Sequence, residues 1–164
     1  KFRTMKNSSS GPLITTRDDK RITPWGRGLR LFKLDELPQL WNVLKGEMRF
    51  VGPRPEVPEY VNEYDFSFLT IIKPGLTDFC SIILRNESQI LHKLGGSIKY
   101  KRILPVKIQL AHLYTLHKSF TLDLVLVFCT FFAIIFPKMV SKIVRKLFLQ
   151  RVSPELISEI QQIL

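Results

Sequence analysis

The sequence predicts a mainly α fold with little β, a single compact domain of short helices, interfacial helices and irregular proline-rich loops. Three observations carry this expectation. Apolar residues recur at helical spacing over 37–44 and 103–117, the pattern of helices with one buried face. Leu124–Phe136 is apolar except for Thr130. GPRPEVP at 52–58 holds three prolines, which remove backbone donors and fix φ, so regular helix or central strand is excluded there.

In chain order, residues 6–20 (KNSSSGPLITTRDDK) are polar with Ser and Gly-Pro clusters and read as an exposed loop. From Arg21 to Phe32 basic and apolar residues interleave around Pro24, Gly26 and Gly28, predicting a short strand or turn that leads into a helical turn. Asp35 offers an N-cap, Glu36 adds charge to the first turn, and Pro38 is tolerated there. Leu37, Leu40, Trp41 and Leu44 continue the helix until Gly46 ends it. After the proline loop, 59–68 reads as a short helix, Pro74-Gly75 as a turn, and Thr77–Leu84 as strand-like by composition. Ile103–His117 is the next helix, followed by the apolar segment after Thr121. PKMVSKIVRKLFLQR from Pro137 reads as a basic amphipathic helix, and Ser153-Pro154 as the start of a last short one.

The run Leu124–Phe136 is about two-thirds of the roughly 20 residues a spanning helix requires. Lys138, Lys142, Arg145 and Lys146 follow it, as cations flank an interfacial segment, so contact with a membrane surface is expected over plain core. The chain opens at Lys1 without an apolar leader pattern. A formal charge of +11 favours anionic partners: nucleic acid, phosphorylated ligands or lipid headgroups. The cations are interspersed with long aliphatic runs, and no base-stacking motif or nucleic-acid fold signature appears, so nucleic acid is not the expected partner. Cys80 and Cys129 lack CxxC spacing and His92, His112 and His117 lack ligand spacing, which argues against a disulfide framework or zinc site. Neither GxGxxG nor GxxxxGK[ST] is complete.

Between Arg21 and Pro55 the sequence gathers Arg21, Arg27, Arg30, Asp35, Glu36, Lys45, Arg49 and Arg54, a mixture suited to phosphate chemistry. Arg54 stands between Pro53 and Pro55, so its guanidinium fork is presented from a stiff backbone. A solvated loop arginine is the plain alternative. Adjacent helical side chains diverge by about 100°, so Asp35 and Glu36 are not expected to face one another as an acid/base pair. Asp35 could attack phosphorus or hold a metal while Glu36 serves a second substrate, or the pair could be an acidic cap.

Four ordered blocks, KFRTM at 1–5, DKRIT at 19–23, LDELPQLWNVLKGEM at 34–48 and VGPRPE at 51–56, resemble the bacterial sugar transferase family. These are the monotopic phosphoglycosyl transferases that begin assembly of capsule, exopolysaccharide, O-antigen and N-linked glycans. Weaker similarity continues through KPGLTD, SIILRNE, ILPVKIQLAHLY and SFTLDLVLVF, to about residue 135. The resemblance implies a membrane-associated, largely helical catalytic domain over 1–136, with 137–164 as a basic amphipathic extension. It implies a ping-pong reaction at the cytoplasmic face of the bacterial inner membrane. Asp35 would attack the sugar-linked phosphorus of a UDP-sugar, releasing UMP, and polyprenyl phosphate would then take the phosphosugar. Glu36 would be the second member of the dyad. Lys1, Arg30 and Arg54 would bind substrate phosphates, with Arg85 a further candidate, and Mg²⁺ is the implied cofactor, held at Asp35.

Two features depart from the family pattern. Family members carry an apolar re-entrant helix ahead of the KFRTM block, a segment that would lie upstream of Lys1. Many relatives have Gly where Asp78 stands, which bears on sugar specificity. A non-catalytic membrane-bound relative acting as a scaffold is the alternative of a different class.

Overall fold

The core is assembled around one five-residue helix. In the computed structural model, which describes residues 1–6, 14–15, 19–56, 72–85, 87–94, 97–148, 158 and 160, this is α3 (Phe79–Ile83), preceded by α1 (Pro24–Leu31), α2 (Gln39–Leu44), β1 (Arg49–Val51) and β2 (Gly75–Thr77). After it come α4 (Glu87–Leu94), a 3₁₀ turn (Ser97–Arg102), α5 (Leu104–His117), α6 (Phe120–Ile135) and α7 (Pro137–Phe148). Helix α3 packs against α5, α6 and α7 and buries Phe79, Cys80, Ile82 and Ile83. Leu104, Leu110 and Tyr114 of α5, Leu126 and Ala133 of α6, and Val140 and Val144 of α7 are among the buried residues around it. The fold is mainly α with little β, as its sequence predicts.

Strands β1 and β2 pair in parallel, Arg49 opposite Gly75 and Val51 opposite Thr77. Gly52, just after β1, touches Gly75, the first residue of β2, backbone to backbone, so that a Cβ on Gly75 would stand 2.0 Å from Gly52 N. No side chain fits there. Three contacts fasten the pair to the helices: Tyr114 Oη donates to the Val51 carbonyl at 3.2 Å, Thr77 Oγ1 and Thr130 Oγ1 share a hydrogen bond of 2.5 Å, and Arg49 lies 3.8 Å from Asp123.

Helix α1 begins where its residues specify. Thr23 has extended backbone and its hydroxyl accepts from Gly26 N at 2.9 Å, while Pro24 fills the first helical position, where no donor is needed. The helix expected from Asp35 to Gly46 is divided instead. Leu34–Glu36 is a 3₁₀ turn and α2 starts only at Gln39. Pro38 has no N–H to give to the Leu34 carbonyl, which accepts from Leu37 N at 3.2 Å; that i→i+3 closure tightens the turn. Gly46 ends α2 with φ +74°, a left-handed conformation that glycine adopts at little cost.

The strand-like stretch Thr77–Leu84 is another correction, since only Thr77 belongs to β2 and α3 follows. Asp78 decides this: its carboxylate accepts from Ser81 N at 2.7 Å and Ser81 Oγ at 2.6 Å, an N-cap that starts a helix among residues of strand-like composition. The helix expected over 59–68 lies outside the described residues, as do most of the loop over 6–20 and most of the segment after Ser153.

Among the described residues no helix is long and apolar enough to cross a membrane. Two large apolar faces are exposed. One comprises Trp25, Leu31, Phe32, Leu37, Trp41 and Leu44 of α1, α2 and their link, the other Phe128, Phe131, Phe132 and Ile135 of α6.

Candidate active site

Asp35 and Glu36 are carried by the 3₁₀ turn between α1 and α2, and the chain start lies across them. Met5 bridges Ile22 antiparallel, Thr23 N donates to the Thr4 carbonyl at 3.0 Å, and Phe2 N donates to the Asp35 carbonyl at 2.8 Å. This places Lys1 Nζ 3.0 Å from Asp35 Oδ2 and 3.5 Å from Glu36 Oε1. The two carboxylates, expected to diverge, therefore meet at one ammonium. The expected geometry assumed a regular helix, whereas the 3₁₀ turn and the reach of a lysine stem bring both acids within range of Lys1.

Both acids are buried, Asp35 at 1% exposure and Glu36 at 7%. Glu36 also receives Arg54 Nη2 at 2.6 Å. Burial pushes the Glu36 carboxyl pKa upward, but Arg54, Lys33 and Lys1 outweigh it and hold the group below its ordinary range. Asp35 differs. Its Oδ1 is buried and has no hydrogen-bond partner among the described residues, an arrangement that costs free energy unless something else satisfies it. Asp35 caps neither the turn nor α2 with its side chain, so the acidic-cap reading does not hold.

A pocket of about 450 Å³ brings together all six residues singled out from the sequence: Asp35, Glu36, Lys1, Arg30, Arg54 and Arg85. Arg30, in the last turn of α1, donates from Nε to Thr4 Oγ1 at 2.8 Å. Arg85 follows α3, and its guanidinium pKa is lowered by burial. Lys33 joins them, with a left-handed φ of 59°; burial lowers its pKa, opposed by Glu36. Glu56, Glu87, Tyr100 and Lys107 line the same pocket. These five were missed in the sequence. Lys107 alone had a signal, a cation in register with Ile103, Leu110, Ala111 and Tyr114 on the buried face of α5.

No group of three or more His, Cys, Asp or Glu side chains converges as a metal cage among the described residues. The unpartnered Asp35 Oδ1 nevertheless suits a hard cation such as Mg²⁺, which takes one or two carboxylates and completes its shell with water and phosphate oxygens.

Residues 1–137 match the family model described as Bacterial sugar transferase. The chain belongs to the bacterial sugar transferase family. It is 33% identical over 137 residues to the UDP-N-acetylgalactosamine-undecaprenyl-phosphate N-acetylgalactosaminephosphotransferase of Aeromonas hydrophila, covering 79% of this chain and 30% of that protein. Similarity to the UDP-glucose:undecaprenyl-phosphate glucose-1-phosphate transferase of Klebsiella pneumoniae is 34% over 140 residues, covering 80% and 28%. The undecaprenyl-phosphate galactose phosphotransferase of Salmonella typhimurium is 47% identical over 73 residues, covering 43% and 15%. The chain thus spans less than a third of the length of these curated relatives. The family match takes in the whole strand pair and α1–α6 and stops where α7 begins.

Proposed function

We propose that this chain transfers a sugar 1-phosphate from a UDP-sugar to polyprenyl phosphate through a covalent intermediate on Asp35, the first membrane step of bacterial surface glycan synthesis. The observation that carries the proposal is Asp35 itself: a buried carboxylate with one oxygen paired to Lys1 and the other unpartnered, lining a pocket with Arg30, Arg54 and Arg85. The names of its relatives supply the substrate classes, a UDP-sugar donor and undecaprenyl phosphate.

In the first half-reaction an Asp35 oxygen bonds to the sugar-linked phosphorus, the phosphoanhydride bond breaks, and UMP leaves with its electron pair. A carboxylate needs no base at neutral pH but is a weak nucleophile, so positioning and charge neutralisation must supply the rate. Lys1 orients Asp35, while Arg54, Arg30 and Arg85 face the diphosphate. Mg²⁺, for which Asp35 would be the protein ligand, supplies further charge neutralisation at the diphosphate when bound. In the second half-reaction an oxygen of polyprenyl phosphate bonds to the same phosphorus and the Asp35 carboxylate is released, giving polyprenyl diphosphosugar. Glu36, held ionised between Arg54 and Lys1, governs how those cations are shared with the incoming lipid phosphate.

A lipid acceptor requires contact with a bilayer. The aromatic face of α6 and the basic stripe Lys138, Lys142 and Lys146 on α7 fit an interfacial seat at the cytoplasmic side of the inner membrane.

Incubating the full-length protein with a panel of UDP-sugars, Mg²⁺ and undecaprenyl phosphate tests the reading. UMP release and, without acceptor, a mass increase of one phosphosugar are expected, both abolished by Asp35→Asn. No UMP from any donor, or an adduct that survives Asp35→Asn, refutes it.

A further inference from the structure

A second ionic cluster lines the pocket without touching the Asp35–Glu36 dyad. Lys107 of α5 is 9% exposed, and its Nζ lies 2.7 Å from Glu56 Oε1, 3.3 Å from Glu87 Oε1 and 2.6 Å from Tyr100 Oη. Tyr100 in turn donates to Glu56 Oε2. An ammonium has three protons, and three acceptors meet it, so Lys107 has no donor to spare for a substrate phosphate. Burial opposes its charge, but Glu87 and Glu56 outweigh burial and hold its pKa above the ordinary lysine range. The cation is permanent.

Glu56 belongs to the segment Pro53-Arg54-Pro55-Glu56. In extended backbone, residues two apart face the same side, and Arg54 and Glu56 both line the pocket. The other end of the segment is fixed as well: Gly75 N donates to the Pro53 carbonyl at 3.3 Å, and Gly52 N to the Thr77 carbonyl at 3.0 Å. Arg54 is thus suspended between a backbone anchor on β2 and a side-chain anchor on α5, with its guanidinium 2.6 Å from Glu36.

We infer that Lys107 is a positioning residue: by holding Glu56 it sets the 53–56 segment so that Arg54 meets both Glu36 and the donor's phosphates. The inference rests on the transfer reaction proposed above for its kinetic consequence, and on geometry alone for the anchoring. Without the ammonium, Glu56 and Glu87 are left near each other with no cation between them, a strongly unfavourable arrangement in a buried site. The segment is released and Arg54 loses its fixed placement. A displacement of about 1 Å can cost roughly 100-fold in rate.

The test uses full-length protein carrying Lys107→Met, Lys107→Arg, Glu56→Gln, Arg54→Ala and the double substitution Arg54→Ala/Lys107→Met. Two readouts are taken: UMP release, and amide exchange by mass spectrometry over residues 49–56 with α5 and α6 as internal reference. Lys107→Met is expected to speed exchange over 49–56 while leaving α6 unchanged. It should lower kcat/KM for the donor by about 10- to 100-fold, and the double variant should be no worse than Arg54→Ala alone, because both changes remove one function. Lys107→Arg should recover part of the loss. Should Lys107→Met loosen every helix, Glu56→Gln, which keeps the shape, carries the same expectations. Unchanged exchange over 49–56 in a folded variant, or losses that multiply in the double variant, overturns the inference. Absence of UMP release by the wild type refutes the proposed reaction instead, and the exchange measurement still decides the anchoring.

Discussion

Arg54 Nη2 lies 2.6 Å from Glu36 Oε1, joining a proline-flanked loop to a buried acid that is 18 residues earlier in the chain. Glu36 is nearly closed to solvent, whereas Arg54 retains access to the pocket. One guanidinium can therefore hold the acid with part of its fork and keep other N–H groups for an anionic ligand.

A lysine has no planar fork with which to do this. Arg54→Lys preserves the charge but replaces the planar fork with a point donor. We expect kcat/KM for the donor to fall by about 10- to 100-fold, or roughly 1.4–2.8 kcal/mol of transition-state stabilisation, with Arg54→Ala falling further. Steady-state UMP release over a donor concentration series measures both.

The same pair predicts a pH dependence. Glu36 has a folded-state pKa below its ordinary 4.5, so its contribution to stability is fully present above that value and is lost as pH falls through the depressed one. Removing Arg54 shrinks the depression. The difference in melting temperature between wild type and Arg54→Ala should be largest above pH 4.5 and should narrow on acidification; a difference that widens in acid contradicts the assignment.

Asp78 departs from the expected family pattern, with sugar specificity in question. In the fold its Oδ1 accepts from Ser81 N and Ser81 Oγ, and the residue lines the pocket beside Arg54. Asp78→Ala should destabilise the protein by about 0.5–2 kcal/mol through loss of the cap, and Asp78→Asn should restore most of it. Thermal melts report the stability, and the order of preference among UDP-sugars should be the same in Asp78→Asn as in wild type.

Phe128 and Phe131 on α6 are 56% and 65% exposed. Burying a phenylalanine in an apolar phase is worth about 1.5–3 kcal/mol, so Phe128→Glu/Phe131→Glu should weaken partition into anionic liposomes by at least about tenfold. Cosedimentation with vesicles of phosphatidylglycerol and phosphatidylethanolamine reads this directly, and the variant's melting temperature should stay near that of the wild type because neither side chain is in the core.

Helices α5 and α6 were legible in the sequence because each is long and either periodic or continuously apolar. Helix α1 was legible only in part, as a helical turn within Arg21–Phe32. The strand pair was not, since three residues show no alternation and its hydrogen bonds join segments far apart in the chain. At Pro38 and Asp78 single residues overrode the trend of their neighbours, by withholding a donor in one case and supplying an acceptor in the other. The six site residues came from motif resemblance rather than periodicity, and nothing local announced that Lys1 would reach both Asp35 and Glu36. Lys107 lies in register with buried neighbours on α5, and a charge so placed is itself a sign of a buried partner.

The hydroxyl contact between Thr77 and Thr130 joins the strand next to the candidate site to the helix whose outer aromatic face is proposed to rest in lipid. Tyr114 and Arg49 tie the neighbouring strand β1 to the same helical layer. Under the proposed reaction, a lipid seat for α6 would then set the depth of the strand pair as well, and with it the loop from which Arg54 reaches Glu36.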